Sequence, residues 1–224
     1  MRIVLIGYGR MGRAVEQMAL QRGHTIAGII DEDRLDDWQQ VMPDKADAVV
    51  EFTNGAAAES NIRRALQQGV PVVSGTTGWN TDSLAQHYPA DGTPWIWSSN
   101  YSIGVQLFFA LNRRAAALLR NWRQYKPSVT ETHHIHKLDK PSGTAKTMEA
   151  DLLKAGYDEV PVESIREGEV AGVHTVKWES DADMIELTHS AKSRAGFALG
   201  AVVAAEWIQG KMGVHTMQQL LGLD

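Results

Sequence analysis

Ile3-Val4-Leu5-Ile6-Gly7-Tyr8-Gly9-Arg10-Met11-Gly12 stands almost at the start of the chain. Its four apolar residues read as a short strand buried on both faces, as in a parallel sheet. Gly-x-Gly-x-x-Gly then follows where a nucleotide fold needs it. Gly7 permits a tight turn, Gly9 lets the backbone approach a pyrophosphate, and Gly12 lets a helix pack closely on the strand. Met11, Val15, Met18 and Ala19 recur at helical spacing, and Gly23 stops that helix. Thr25 to Ile30 reads as a second apolar strand. Asp31 closes it, nineteen residues after Gly12, where a carboxylate bonds the ribose hydroxyls of a dinucleotide. The pyrophosphate would rest against Gly9, Arg10 and Met11 at the helix N-terminus, where N–H groups and the dipole favour negative charge. The competing reading is a turn that merely needs three glycines. Strand, helix and acid at the right spacing favour the nucleotide.

The alternation continues downstream. Ala48–Phe52 reads as a strand, 56–68 as a helix stopped by Gly69, and Val70–Val73 as a strand meeting Ser74-Gly75-Thr76-Thr77-Gly78. A short helix over 82–87 and a strand over 94–98 complete the pattern of a doubly wound α/β domain. Phe52-Thr53 and Gly75-Thr76-Thr77 both close strands on the carboxyl side of the sheet, where ligands bind in such folds. Ordinary turn chemistry is the alternative for both. After Asn100 the character changes. Residues 101–122 read as one long helix with Val105, Phe108, Phe109, Leu111, Leu118 and Leu119 on or near its buried side. Strands over 129–133, 162–166, 172–179 and 184–189 follow, interrupted by a helix over 144–154, and 197–209 is Ala-rich and helical. The expected fold class is therefore α/β: a Rossmann-like dinucleotide-binding domain, about 1–103 with 194–224, and a second α+β domain on an open mixed sheet, about 104–193.

Composition excludes several functions. Cysteine is absent from the 224 residues, which removes disulfides, thiolate metal sites and a cysteine nucleophile. The net charge of −5 gives no electrostatic support for nucleic acid. No apolar run approaches membrane-spanning length. Met1-Arg2 leads straight into the first strand, too short a start for a signal h-region, so a cytoplasmic location is expected. An anionic small molecule must then be drawn by a local patch.

Such a patch is present. Glu131-Thr132-His133-His134-Ile135-His136-Lys137-Leu138-Asp139-Lys140-Pro141-Ser142-Gly143-Thr144-Ala145 holds three histidines and two lysines in fifteen residues. Imidazole titrates near neutrality and can give or take a proton. Lys is a compact charge suited to carboxylates. Ser142 is a good N-cap, and the first-turn N–H groups of a helix bind anions. A histidine-rich surface loop is the bland alternative. A metal site built from His133, His134 and His136 is another, disfavoured by Lys137 and Lys140 beside it and by the absence of a His-Glu-x-x-His motif; no metal is expected.

The pattern Glu-x-His-His-x-x-Lys-x-Asp-x-Pro-Ser-Gly-Thr-Ala closely resembles the signature of the 4-hydroxy-tetrahydrodipicolinate reductase (dihydrodipicolinate reductase) family. Arg166–Val176 and Glu186–Ala201 resemble that family's later segments, so the likeness spans nearly the whole chain. The resemblance implies NAD(P)H-dependent reduction of (2S,4S)-4-hydroxy-2,3,4,5-tetrahydrodipicolinate to tetrahydrodipicolinate with loss of water, in lysine and diaminopimelate biosynthesis. It implies proton chemistry at His133 and Lys137, and substrate carboxylates held by His134, Ser142, Gly143 and Thr144. It adds Phe52, Thr53, Gly75, Thr76, Thr77, Ser99, Asn100 and Tyr101 to the cofactor site, and it implies a homotetramer. His174 and His189 read as structural or interface residues.

The cofactor is NADH and/or NADPH. Asp31 and Glu32 would repel a 2′-phosphate, while Arg34 nearby could attract one. Two features depart from the family. The stretch between Asp31 and Ala48 is trimmed, and Lys140 stands where a small residue is usual. Two other readings remain: a different two-domain amino-acid dehydrogenase, and a non-catalytic nucleotide-binding regulator. The Ser142-Gly143-Thr144 loop opposes the first, and intact His133 and Lys137 oppose the second.

Overall fold

The computed structural model describes residues 1–223; Asp224, the last residue of the expected nucleotide domain, lies outside the described residues. The chain divides into two compact units, residues 1–103 with 195–224, and residues 104–194.

The first unit is built on a six-stranded sheet in the order β10-β5-β4-β3-β1-β2. Its strands are β1 (Arg2–Ile6), β2 (Thr25–Ile30), β3 (Ala48–Glu51), β4 (Val72–Ser74), β5 (Trp95–Trp97) and β10 (Val214–His215), and every pairing is parallel. Ile3, Val4, Leu5 and Ile6 are buried, as a strand covered on both faces requires. On one face, α1 (Arg10–Gln21) and α6 (Ala195–Trp207) pack Val15, Ala19, Ala201 and Ala205 against Ile3, Leu5 and Val50. On the other, α2 (Gly55–Gln67) and α3 (Thr81–Ala85) pack Ile62, Leu66 and Leu84 against Val4, Ile6 and Val72. Strand order reverses beside β1, which makes the turn after β1 the topological switch point where such sheets bind ligands.

Three elements of this unit were not legible in the sequence. The trimmed stretch after Asp31 forms a 3-10 turn, Leu35–Gln40. Asp37 Oδ2 accepts the Ile29 N–H at 2.9 Å, and Trp38 packs into the second core under the Arg64 guanidinium, 4.0 Å from the ring centroid. The turn thus occupies a backbone N–H on the edge strand β2 that would otherwise be free to pair. After α6 the tail returns as β10 beside β5 and ends in α7 (Met217–Leu221), which carries a Thr216–Gln219 capping box. A two-residue strand leaves no periodicity to read.

The second unit has a four-stranded mixed sheet in the order β7-β6-β8-β9. Here β6 (Lys126–His133) runs parallel to β7 (Val162–Arg166) and antiparallel to β8 (Val173–Glu179), which pairs antiparallel with β9 (Met184–Ser190). The helices α4 (Ile103–Leu119) and α5 (Gly143–Lys154) bring Phe108, Phe109, Ala116, Met148 and Leu152 onto Val129, Val176 and Trp178. Along α4 the expected buried side needs correction. Val105, Phe108, Phe109, Asn112 and Ala116 form the buried stripe, whereas Leu111 and Leu118 are 56% and 58% exposed. They sit seven residues apart on the opposite face, because a helix turns about 100° per residue. Among the described residues, no helix is long and apolar enough to cross a membrane.

Candidate active site

In the first unit every expected cofactor residue lies beyond the carboxyl end of a parallel strand, on the loop that leaves it or, for Arg10, Met11 and Gly12, in the first turn of α1. After β1, Gly7 adopts φ +90°, and a Cβ there would stand 2.1 Å from the Phe52 carbonyl oxygen. A Cβ on Gly12 would stand 2.2 Å from the Gly7 carbonyl oxygen, whereas nothing lies within 4 Å of one on Gly9. Gly7 and Gly12 are therefore required by the fold itself. Gly9 instead leaves open space at the helix start, as an approaching pyrophosphate needs. Gly9 is also the N-cap of α1, with no side chain capping it and no acidic residue in the first turn, so the positive helix end is available to an anion. Arg10 is exposed and Met11 half-buried there. Tyr8 gives its hydroxyl to Glu16, and its ring lies under Arg13 and Arg34, 5.1 and 5.9 Å from the centroid. Asp31 and Glu32 are exposed just past β2.

The loops after β3 and β4 are tied to each other. The Thr53 N–H donates to Thr76 Oγ1 at 2.8 Å, and a Cβ on Gly75 would stand 2.0 Å from the Phe52 ring. The indoles of Trp79 and Trp97 both donate to the Thr76 carbonyl, at 2.9 and 2.7 Å. Thr77 and Ser99 are exposed. Asn100 Oδ1 accepts the Ser102 N–H at 2.9 Å. Tyr101 differs from the expectation of a cofactor-facing aromatic. Its side chain is 1% exposed, and its hydroxyl is engaged by the Ser74 and Ile96 carbonyls at 2.9 and 3.1 Å. Packing beneath the loops is the place the fold gives it. The residues present fit a dinucleotide: a glycine cradle, a bare helix start and a carboxylate at the end of β2.

In the second unit the alternation of β6 puts Glu131 and His133 on one buried face, two residues apart as strand geometry dictates. Glu131 is fully buried, and four elements converge on it. Across the sheet its register partners are Ser164 on β7 and His174 on β8. Glu131 Oε1 accepts from Arg166 Nη2 at 3.0 Å and from the Ser142 N–H at 3.1 Å. Its Oε2 lies 2.7 Å from His133 Nδ1 and 3.9 Å from His174 Nε2. The 2.7 Å approach is a close contact, not an aligned hydrogen bond. Burial opposes the charge on Glu131, but hydrogen bonds from Ser142, Ser164 and Arg166 outweigh it and hold its pKa at about 2.

Burial pushes both histidines of the cluster down. For His133 the Glu131 charge works against that, while Lys137 and Arg166 add to it. For His174 burial and the neighbouring His133 bring the pKa to about 4. Ser142 links this cluster to α5. Its Oγ lies 3.2 Å from His174 Nε2 and accepts the Ala145 N–H at 3.2 Å as the helix cap. The cap leaves the first-turn N–H groups of Gly143 and Thr144 available to an anion.

The loop between β6 and α5 is strapped by Arg166, whose Nε donates to the Lys137 carbonyl at 3.2 Å and whose Nη2 donates to that of Asp139. Lys137 Nζ pairs with Asp139 at 2.7 Å. The structure therefore groups His133, Lys137, Ser142, Gly143 and Thr144 around β6 and the start of α5. His134 is half-buried, with its ring 6.1 Å from that of His136. His136 reaches toward Glu169 at 3.4 Å, so His133, His134 and His136 do not converge as one ligand set. Glu131, His133 and His174 do bring a donor atom each within 4.8 Å of one another, but Arg166 already supplies the positive charge that Glu131 needs.

Sequence reasoning missed three members of this cluster. Glu131 was detectable, since it precedes His133 by two in an alternating strand. Arg166 and His174 were not, because only sheet register brings them to Glu131. His174, expected to be structural or interfacial, is buried against His133, with ring centroids 4.9 Å apart.

Comparison with known proteins agrees over both units. A family model for the dihydrodipicolinate reductase N-terminus matches residues 1–101, and one for the C-terminus matches residues 104–221. A 4-hydroxy-tetrahydrodipicolinate reductase of Christiangramia forsetii is 40% identical over 239 aligned positions, covering 99% of this chain and 98% of the relative. One from Akkermansia muciniphila is 36% identical, covering 96% and 95%. In fold, the chain is similar to a dipicolinate-bound dihydrodipicolinate reductase from Paenisporosarcina sp. TG-14, with TM-score 0.82, 18% identity and 98% coverage of each chain. A diaminopimelate dehydrogenase of C. glutamicum shares the fold at TM-score 0.57 and 16% identity, covering 99% of this chain and 95% of that one. With both halves matched in order and relatives at this identity aligned end to end, the chain belongs to the dihydrodipicolinate reductase family.

Proposed function

We propose that this chain catalyses NAD(P)H-dependent reduction of 4-hydroxy-tetrahydrodipicolinate to tetrahydrodipicolinate, with one proton consumed and one water lost overall, in lysine and diaminopimelate biosynthesis. The observation that carries the reading is the cluster at Glu131. One buried carboxylate holds both His133 and the N-terminus of α5, which unites a proton-handling group with an anion site. Gly143 and Thr144 N–H groups, with Ser142 and His134, hold the carboxylates of a small dicarboxylate, consistent with the dipicolinate bound in the Paenisporosarcina structure. The cofactor, when bound, supplies the hydride. Negative charge then gathers on the substrate ring, and the Lys137 ammonium is worth more against it than in the ground state. His133 or Lys137 delivers the proton. The depressed pKa of His133 makes its imidazolium a stronger acid.

Gly7, Gly9, Arg10, Met11 and Gly12 take the pyrophosphate, Asp31 the ribose, and Phe52, Thr53, Gly75, Thr76, Thr77, Ser99 and Asn100 the nicotinamide end. Both NADH and NADPH are accepted: Asp31 and Glu32 favour the first, while Arg34 and Arg13 beside Tyr8 offer a 2′-phosphate its countercharge. Assembly as a homotetramer proceeds through the second unit, where β9 exposes Met184 and Ile185 and α4 exposes Leu107, Leu111 and Leu118. A coupled assay with freshly generated substrate, run with each cofactor, tests the activity. Oxidation of neither NADH nor NADPH on substrate addition would overturn it. Light scattering tests the assembly, which a monomeric mass would refute.

A further inference from the structure

Glu51 is a second fully buried carboxylate, at the carboxyl end of β3. Its surroundings differ from those of Glu131. Oε1 accepts from the Thr53 N–H at 3.0 Å, the Thr53 hydroxyl and Thr76 Oγ1 at 2.8 Å, and Oε2 accepts from Ser74 Oγ at 2.5 Å. Every one of these donors is neutral. Among the described residues, no Lys, Arg or His side chain lies within the 4.0 Å of an ion pair with it. Glu131 by contrast has Arg166. A buried charge without a partner is costly, and hydrogen bonds from neutral donors offset only part of that cost. A Gln could accept some of the same bonds without the charge. The choice of a carboxylate over an amide at this buried position therefore calls for a role.

The place of Glu51 suggests one. It is the single group that both Thr53 and Thr76 grip, and these begin the two loops read above as the nicotinamide end of the cofactor site. We propose that Glu51 is a positioning residue whose carboxylate supplies the countercharge for the oxidised nicotinamide ring. The inference rests on the cofactor reading of those loops. In the reduction, the C4–H bond of the dihydronicotinamide breaks with its electron pair, the hydride forms a new C–H bond on the substrate, and the ring becomes a cation. A fixed negative charge interacts little with the neutral reduced ring and strongly with the cation. It lowers the barrier as that cation develops, with little solvent screening at a buried site.

The test is binding, not turnover. Dissociation constants for the oxidised and reduced forms of the cofactor are measured by calorimetry on the full chain. Two pairs that differ in charge at equal size are compared: wild type with Glu51→Gln, and Glu51→Asp with Glu51→Asn. In each pair the neutral member should lose about tenfold in affinity for the oxidised form relative to the reduced form. Glu51→Asp should keep the wild-type ratio even where both forms bind more weakly. Either pair suffices if a member of the other does not fold. Equal weakening of both forms on neutralisation would overturn the proposal and leave Glu51 a clamp between two loops. Failure of the wild-type chain to bind either form would overturn the cofactor reading, and this inference with it.

Discussion

Oε2 of Glu131 lies 2.7 Å from Nδ1 of His133, with the two side chains 0% and 9% exposed. The contact decides which ring nitrogen does what. Nδ1 is turned to a carboxylate whose pKa is held at about 2, so Nε2 is the nitrogen that the proposed proton transfer would use. Nε2 faces Gly172, where a Cβ would stand 3.0 Å away, so that glycine keeps room beside the ring.

His133→Ala and Lys137→Ala should each lower turnover by about 10²-fold, the usual scale for loss of a general acid. Affinity for NADH should be nearly unchanged, because the glycine turn belongs to the first unit. Steady-state kinetics with a fluorescence titration of NADH checks both halves of the statement. Near-full turnover in both variants would remove the proton chemistry from this loop.

Acid should erode stability in two stages. The folded pKa of His174 is about 4 against 6.5 for the free group, through burial first and the His133 charge second. Between those values the unfolded chain binds the extra proton, so stability is full above about pH 6.5 and falls as pH drops toward 4. His133 and His189 shift in the same direction. Taken at about 1.4 kcal/mol per unit, His174 alone accounts for at most about 3.5 kcal/mol. A second loss follows as pH drops below 4.5 toward 2, where Glu131 is protonated more readily in the unfolded chain. Urea titrations at several pH values should show the slope, and His174→Gln should flatten the first stage only. An unchanged slope in that variant would assign the acid sensitivity elsewhere.

Gly200→Ala and Gly9→Ala should separate folding from binding. A Cβ at residue 200 would lie 1.7 Å from the Tyr101 carbonyl oxygen, backbone that cannot swing aside, while one at residue 9 meets nothing within 4 Å. The first variant should lose about 1–3 kcal/mol or more, as overpacked cores do. The second should keep its melting temperature but bind NADH more weakly, because its methyl occupies the pyrophosphate approach. Unaltered NADH affinity in Gly9→Ala would contradict the placing of the pyrophosphate there.

Cofactor choice should follow charge beside Tyr8. Wild type should use NADH at least as well as NADPH, with Asp31 and Glu32 both exposed near the adenosine end. Glu32→Arg should move preference toward NADPH, and Arg34→Ala should weaken NADPH while sparing NADH. The ratio of kcat/KM values reads this directly. A wild type that strongly prefers NADPH would show that Arg34 dominates the two acids.

The local part of this protein was written in its sequence. Apolar runs, glycine stops and the Gly7–Gly12 turn gave the parallel sheet and its helices, because buried strands and close helix packing admit few other residues there. The Ser142 cap and the pairing of Glu131 with His133 on one strand face were also present in residue spacing alone. Tertiary structure decided the rest. Sheet register, not sequence distance, set Arg166 and His174 beside Glu131, and so turned a histidine read as structural into a neighbour of the proposed acid. Burial moved Tyr101 from the cofactor loops into the core, and the face of α4 left uncovered exposed Leu111 and Leu118. The short segment after Asp31 found its use only when Asp37 met the backbone of β2. In each case the deciding quantity was which distant backbone lies within hydrogen-bonding or van der Waals reach, and residue spacing along a chain carries no record of that.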